Sequence, residues 1–532
     1  MNQTTIFDML YPKYKITKPI RLIEFFAGYG SQALALKYLG VPFEHWKICE
    51  WAVKSIQAYK DIHFTYDNTD YFSEQPFKDD WLISWLFEKG ISSNYNEPMT
   101  KEQIIRLGEE QRKRIYNNIC STHNLVNIQQ VKGEDLEITD TDKYDYILTY
   151  SFPCQDLSLA GKGKGMSDTS TRSGMLWEVE RILTECNELG TLPQILLMEN
   201  VPQVHSEDNI KDFHKWQLRL EELGYKNYMQ DLIATDYGIP QTRNRCFMVS
   251  ILGDYSYTFP QPIPLKLKLK DLLEDNVDES YYLSDKQIKD IQSWNAYEKP
   301  LENMEKIEKS NISPTLTTRS GAYAAGMVLV KDTENYIEWE DGKNIQMNCR
   351  AWKDDKIVAT LNTGGETKIL VKNATKQGYL EATEGDGIDL AQPNSETRRG
   401  RVQKGAIQTL TTQNNLGVVT IGNYSPSNHN ASRIVDSEHC SPTVMENHGT
   451  VTATQTNDLR IRKLTPKECF RLMGVSDEDF EKCAKNQSNA SLYHLAGDSL
   501  VTLVFCAIMS TMIDNCKSFE QVLEEFYLQI SN

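Results

Sequence analysis

Tyr144-Asp145-Tyr146-Ile147-Leu148-Thr149-Tyr150 runs into Ser151-Phe152-Pro153-Cys154-Gln155 and then into a glycine-rich stretch. A short apolar run bounded by turn-forming residues is the pattern of a buried strand. A cysteine just past the carboxyl end of such a strand stands where open α/β sheets carry out chemistry. Pro153 fixes the backbone before it, so the thiol is presented rather than packed away. Free cysteine is also among the most buried residue types, so a structural thiol is the competing reading. The rest of the chain decides between them.

Upstream, the chain alternates strand and helix: Ile20–Phe26 reads as a strand, Ser31–Leu39 as a helix, Phe43–Cys49 as a second strand and Ala52–Tyr59 as a second helix. Residues 61–130 interrupt with two helices, Asp80–Lys89 and Lys101–Asn118. The alternation resumes at Tyr144–Tyr150, Met175–Asn187, Gln194–Met198, Ile210–Leu223 and Cys246–Ile251. This order predicts an α/β fold with a Rossmann-like, doubly wound, mainly parallel sheet. After Phe259-Pro260-Gln261-Pro262 the texture changes, and residues 305–455 are rich in Thr, Asn and Gly with short β-like runs. Ser313-Pro314-Thr315-Leu316-Thr317-Thr318 is echoed by Val358-Ala359-Thr360-Leu361-Asn362-Thr363, by Ile407-Gln408-Thr409-Leu410-Thr411-Thr412 and by Ser441-Pro442-Thr443-Val444. The spacing is too irregular for a solenoid and suits repeated strand-and-loop units with variable loops. Helical pattern returns at Pro466–Met473 and Ser499–Ile513.

A chain of 532 residues can bury a large core and divide into at least two domains. Its 11 cysteines form no C-x-x-C pair and no zinc-like spacing, which fits reduced thiols and no metal site. No stretch reads as a membrane span, since Leu500–Met509 is too short and suits a core helix. Met1–Thr5 lacks the pattern of a signal peptide, so the expected location is cytoplasmic. The net charge of −17 argues against a polyanionic partner only at first sight. Residues 61–145 hold 17 acids and 9 bases, whereas residues 305–455 hold 18 and 16, with a basic knot at Arg398, Arg399, Arg401 and Lys404. Charge alone leaves the partner open.

Phe26-Ala27-Gly28-Tyr29-Gly30 sits at a strand-to-helix turn, where glycines let a ligand approach the backbone. Glu50 ends the second strand about 20 residues later, where an acid can bind ribose hydroxyls, and Trp51 beside it offers a stacking face. Each signal is weak alone, because such turns and such acids also occur for packing. Together they form a series: Phe26-x-Gly28-x-Gly30, Glu50-Trp51, Asp135-Leu136, Phe152-Pro153-Cys154-Gln155, Glu199-Asn200-Val201, Gln241-Thr242-Arg243-Asn244-Arg245, Arg462-Lys463-Leu464-Thr465-Pro466 and Gly497-Asp498-Ser499. In this order the series resembles the DNA (cytosine-5)-methyltransferase family of bacterial or phage type.

The resemblance implies an S-adenosylmethionine-dependent methyltransferase domain plus a smaller, mainly β target-recognition domain. Residues 1–275 would be catalytic, with a helical insertion at 61–130. Residues 276–459 would recognise the target, and residues 460–532 would return to the catalytic domain. Cys154 would be the nucleophile that adds to carbon 6 of a flipped-out cytosine, Glu199 would hold the base edge, and Arg243 and Arg245 would contact the base and order the site. Phe26, Gly28, Gly30, Glu50, Trp51, Asp135, Leu136, Leu176 and Ser499 would surround S-adenosylmethionine. Two departures stand out: the insertion has no assigned chemistry, and Asp498 stands where the family usually has asparagine. Asp156–Gly174, with Lys162, Lys164 and Arg172 among its glycines, reads as a loop that closes over DNA phosphates. The resemblance implies methylation of carbon 5 of cytosine in specific double-stranded DNA sequences, by a monomer on DNA, with a cognate restriction endonuclease as a partner if the system has one and with no membrane partner. A tRNA cytosine-5 methyltransferase and a non-catalytic DNA-binding regulator are the rival readings; the repeats speak against the first and the intact Cys154, Glu199 and Arg245 against the second.

Overall fold

The computed structural model describes residues 11–152 except 74 and 76–78, residues 173–281 except 208, and residues 463–530; between 282 and 462 it describes only strand backbones. The chain divides into two compact units, Met1–Ile239 with Arg243–Lys266 and Cys469–Asn532, and Pro240–Thr242 with Leu267–Glu468.

In the first unit, β1 (Ile20–Phe25), β2 (Phe43–Cys49), β3 (Asp145–Tyr150), β4 (Ile195–Asn200), β5 (Tyr225–Ile233) and β6 (Asn244–Leu252) form one sheet in the order β2-β1-β3-β4-β6-β5. The first four strands are parallel, whereas β6 runs antiparallel to β4 and β5 antiparallel to β6. Every residue of β3 and of β4 is buried, which is why both read as continuous apolar runs. β5 was absent from the sequence reading. It is an edge strand whose Lys226, Asn227, Gln230 and Asp231 mask the strand pattern.

Helices cover both faces. α1 (Ser31–Tyr38) follows the glycine turn and α2 (Val53–His63) follows β2. In the insertion, α3 (Asp79–Lys89), α4 (Lys101–Arg106) and α5 (Glu109–Ser121) share a core of Phe72, Leu82, Leu86, Ile104, Ile115 and Tyr116. The single helix expected over Lys101–Asn118 is two, because Gly108 at φ 79° breaks it. α6 (Leu176–Leu189) and α7 (Ile210–Glu222) bury Leu176, Ile182, Phe213 and Trp216 against the central strands. Further on come α8 (Pro466–Leu472), α9 (Asp477–Ala484), α10 (Asn489–Asp498), α11 (Thr502–Ser510) and α12 (Phe519–Ile530). The expected helix over Ser499–Ile513 is shorter, and α10 precedes it unforeseen. Asn489–Ser510, which spans α10 and α11, is long and apolar enough to cross a membrane, where the sequence predicts no such stretch, but 83% of its most apolar part is buried inside the protein. Cys506 of α11 donates to the Ala35 carbonyl of α1, so the carboxyl-terminal helices pack on the first βα unit.

One buried acid has a measurable consequence. Glu24 of β1 is fully buried, with one carboxylate oxygen on the Ala33 amide and the other on the Tyr59 hydroxyl, which also meets His45 Nδ1 at 2.8 Å. Burial pushes Glu24 from its ordinary 4.5 up to about 7, the two hydrogen bonds opposing. The protonated acid is therefore the stabilising form, present in full below 4.5 and lost as pH rises through about 7. The neutral buried histidines His45 and His63, lowered by desolvation to about 2 and about 4, act in the opposite sense, so the comparison is made against an isosteric variant. Glu24→Gln keeps an N–H for Tyr59 and a carbonyl for Ala33. Relative to wild type its unfolding free energy should gain about 3 kcal/mol between about pH 4 and about pH 8, read by denaturant titration; a pH-independent difference would refute the assignment.

In the second unit, β7 (Val358–Leu361), β8 (Thr367–Lys372) and β9 (Tyr379–Thr383) form an antiparallel sheet. β10 (Gly387–Asp389) lies between β11 (Val402–Gln403) and β12 (Leu416–Val418). β13 (Gly422–Asn423), β14 (Arg433–Asp436), β15 (Ala453–Gln455) and β16 (Ile461–Lys463) form a third sheet, with β14 and β15 parallel. The repeat at 358–363 thus begins as strand β7, while those at 313–318, 407–412 and 441–444 lie outside the described residues.

Candidate active site

The carboxyl ends of the parallel strands gather the residues with chemistry. After β1 the chain turns through Phe26 at φ 56°, Gly28 at φ 55° and Gly30 at φ 83°. The two glycines serve different ends. A Cβ on Gly30 would stand 2.4 Å from His63 Nε2, so Gly30 allows α2 to pack. Among the described residues, a Cβ on Gly28 would meet Ser499 Oγ alone, at 3.9 Å, and would narrow the space between the turn and the carboxyl end of α10.

Glu50, at the end of β2, accepts from the Gly28 amide at 2.9 Å and from the Ala52 amide at 2.7 Å. Burial pushes its carboxyl up to about 7 against these two bonds. Trp51 is half-buried and packs on the core of the insertion. Its carbonyl accepts from Ser92, whose own carbonyl accepts from Val53. The insertion is thereby pinned to the chain just past Glu50.

The structure does not bring Asp135 and Leu136 to this edge. Asp135 accepts from the Lys132 amide within its own 3-10 turn, and the Leu136 carbonyl accepts from Trp46, three residues before the end of β2. Gly133, in the same turn, donates to Glu185 of α6. Leu176 opens α6, nine residues earlier and about 14 Å away along the helix, placing Asp135 near the opposite edge of the sheet. The place beside Glu50 belongs to Asn124. Its Oδ1 accepts from the Glu50 amide at 3.0 Å, and its Nδ2 donates to the Glu50 carbonyl at 2.9 Å. Val126, two residues on, is held at φ 69°, rare for a β-branched residue, and that strain is the local sign of a constrained site.

Ser499 reaches the glycine turn through Arg243. The Arg243 guanidinium is 4% exposed and gives Nη2 to the carbonyls of Gly497 at 3.0 Å and Ser499 at 2.6 Å. The guanidinium thus grips the backbone at the carboxyl end of α10. Tyr95 of the insertion and His494 of α10 also converge here, with ring centroids 3.9 Å apart. The sequence reading missed both.

At the β4 end, Glu199 Oε1 lies 3.1 Å from Arg245 Nε, with both side chains largely buried. Asn200 is buried and donates to the Phe152 carbonyl at 3.0 Å, fixing the backbone two residues before Cys154. Cys154 and the loop Asp156–Arg172 lie outside the described residues. On the other face of β6, Cys246 lies with His205 and Asp231 such that one ligand-type atom of each falls within 4.8 Å of the others. Asp231 already receives His205 Nε2 at 3.0 Å, so the cluster is satisfied as a latch on the turn after β4.

A glycine turn after β1, an acid at the end of β2 and an acid–arginine pair at β4 and β6 lie on one α/β sheet, an arrangement that suits a methyltransferase. The sequence profile of the C-5 cytosine-specific DNA methylases matches residues 100–514. The chain belongs to this family, the S-adenosylmethionine-dependent enzymes that methylate carbon 5 of cytosine in DNA. It is 36% identical over 275 residues to the type II methyltransferase M2.ScrFI of Lactococcus lactis subsp. cremoris, covering 51% of this chain and 72% of that one. It is 38% identical to the orphan methyltransferase M.SssI of Spiroplasma monobiae, covering 45% and 61%. To the orphan methyltransferase M.SPRI of Bacillus phage SPR it is 24% identical, covering 74% and 89%. The turn at Gly28, with Glu50 on its amide and Ser499 Oγ 3.9 Å from the place of a Cβ, suits a cofactor that needs close backbone approach and polar partners.

Proposed function

We propose that the protein methylates cytosines in specific double-stranded DNA sequences through a covalent adduct at Cys154. The observation that carries this reading is the buried Glu199–Arg245 pair beside Asn200, which anchors the chain just before the thiol. Carbon 5 of cytosine is a poor nucleophile on its own. Addition of the Cys154 thiolate to carbon 6 forms a C–S bond and moves the ring electron pair to carbon 5. N3 takes up a proton from solvent as the electron pair enters the ring, and Glu199 would accept hydrogen bonds from this N3–H and from the exocyclic amine, while Arg245 holds its carboxylate in place. Bound S-adenosylmethionine supplies an electrophilic methyl group. Loss of the carbon-5 proton to solvent then returns an electron pair to the ring, the C–S bond breaks to release the thiolate, and N3 gives its proton back to solvent. The base must leave the helix for this, at a cost of a few kcal/mol.

Glu50, Gly28 and Ser499, with Phe26, Trp51 and Leu176 around them, would hold the cofactor. Residues 276–459 would select the target, their Thr/Asn/Gly loops offering hydrogen bonds to base edges. The enzyme would act as a monomer in the cytoplasm, and a cognate endonuclease would be added in a type II system. Incubation with duplex DNA containing 5-fluorocytosine tests the chemistry, because carbon 5 then carries no proton to lose. A denaturant-stable protein–DNA complex should form only with cofactor present and should vanish in Cys154→Ala. Absence of that complex on DNA that the wild-type enzyme methylates would sink the covalent step.

A further inference from the structure

We propose that Asp498 makes the cofactor site discriminate by charge, favouring the cationic methyl donor over its neutral demethylated product, S-adenosylhomocysteine. The inference rests on the reading of Gly28, Glu50 and Ser499 as the cofactor site. Asp498 is the last residue of α10 and directly precedes Ser499, the side chain that faces Gly28. One helical turn earlier, His494 Nε2 lies 3.2 Å from Asp498 Oδ2. Tyr95 packs on His494, and the loop that carries Tyr95 is pinned through Ser92 to Trp51 and Val53. The carboxylate is thus tethered at the rim of the site, close enough to Glu50 to act on it electrostatically.

Donor and product share the adenosine, the ammonium and the carboxylate, and differ in the sulfonium that becomes a thioether on methyl transfer. A fixed negative charge at the rim attracts the sulfonium and has no counterpart in the product. The buried Arg243 cation sits nearby on the Gly497 and Ser499 carbonyls, but it acts equally in wild type and in an Asp498 variant. Repulsion between Asp498 and the amino-acid carboxylate is common to both ligands and cancels in their ratio. An asparagine at this position would recognise the ligand by hydrogen bonds alone; the aspartate adds a field that relieves product inhibition.

Isothermal titration of the full chain with each ligand, without DNA, reads this directly. Asp498→Asn should shift the ratio of product Kd to donor Kd by about fivefold towards the product, while Asp498→Glu should keep the wild-type ratio. In wild type the preference for the donor should shrink as salt rises, a readout that needs no variant. An unchanged ratio in Asp498→Asn, or a wild-type preference insensitive to salt, overturns the inference. Wild-type protein that binds neither ligand overturns the cofactor-site reading itself, and this proposal falls with it.

Discussion

Arg245→Ala should lower kcat/KM for DNA methylation by about two to three orders of magnitude. Arg245 and Glu199 project from adjacent antiparallel strands, with Glu199 in register with Phe247, so the two meet diagonally on one face. Both are largely shielded from water, and breaking a buried pair by deleting one partner costs about 3–5 kcal/mol because the other charge stays uncompensated. The carboxylate would then turn away or take up a proton, and either change removes it from the developing charge on the base. Lysine should not rescue, since a point charge cannot reproduce the guanidinium that also donates Nη1 to the Asn244 carbonyl. Single-turnover transfer of labelled methyl groups measures the effect apart from product release. If Glu199→Gln and Arg245→Ala act on one unit, the double variant should lose little more than either single one. Activity within about threefold of wild type in Arg245→Ala would remove the pair from the mechanism.

Arg243→Ala should weaken cofactor binding by about ten- to a hundredfold before DNA is added. The guanidinium ties down two carbonyls at the carboxyl end of α10, where its charge also complements the helix dipole. Without it those carbonyls lose their donor in a buried setting, and Ser499 is no longer held across from Gly28. Lysine can reach one carbonyl and should recover part of the affinity. A residue that contacted the cytosine instead would leave cofactor affinity in the absence of DNA unchanged. Titration of cofactor into free protein therefore separates the two roles.

The legibility of this chain follows physical lines. The central parallel strands declare themselves because burial on both faces demands unbroken apolar runs, as in Tyr146–Tyr150 and Ile195–Met198. Strand direction leaves no such trace, so the antiparallel run of β6 and the polar edge strand β5 had to be seen. Glu50 and Glu199 stood out because each is an acid at the carboxyl end of a strand. Asp135-Leu136 misled because an acid beside an apolar residue is a short pattern, and the path of the chain decides which such pair reaches the sheet edge. Asn124, 74 residues from its partner Glu50, could not be picked out from neighbouring amides.

What the sequence by itself determined is the order of the motifs and, through it, membership of the family that methylates carbon 5 of cytosine. What only the tertiary structure decided is what each arginine touches. Arg243 and Arg245 look equivalent two residues apart, yet one grips the backbone of α10 and the other pairs with Glu199. Hydrogen bonds and ion pairs depend on distances of a few ångströms between segments far apart in sequence, 256 residues for Arg243 and Ser499, and such distances exist only once the chain has packed.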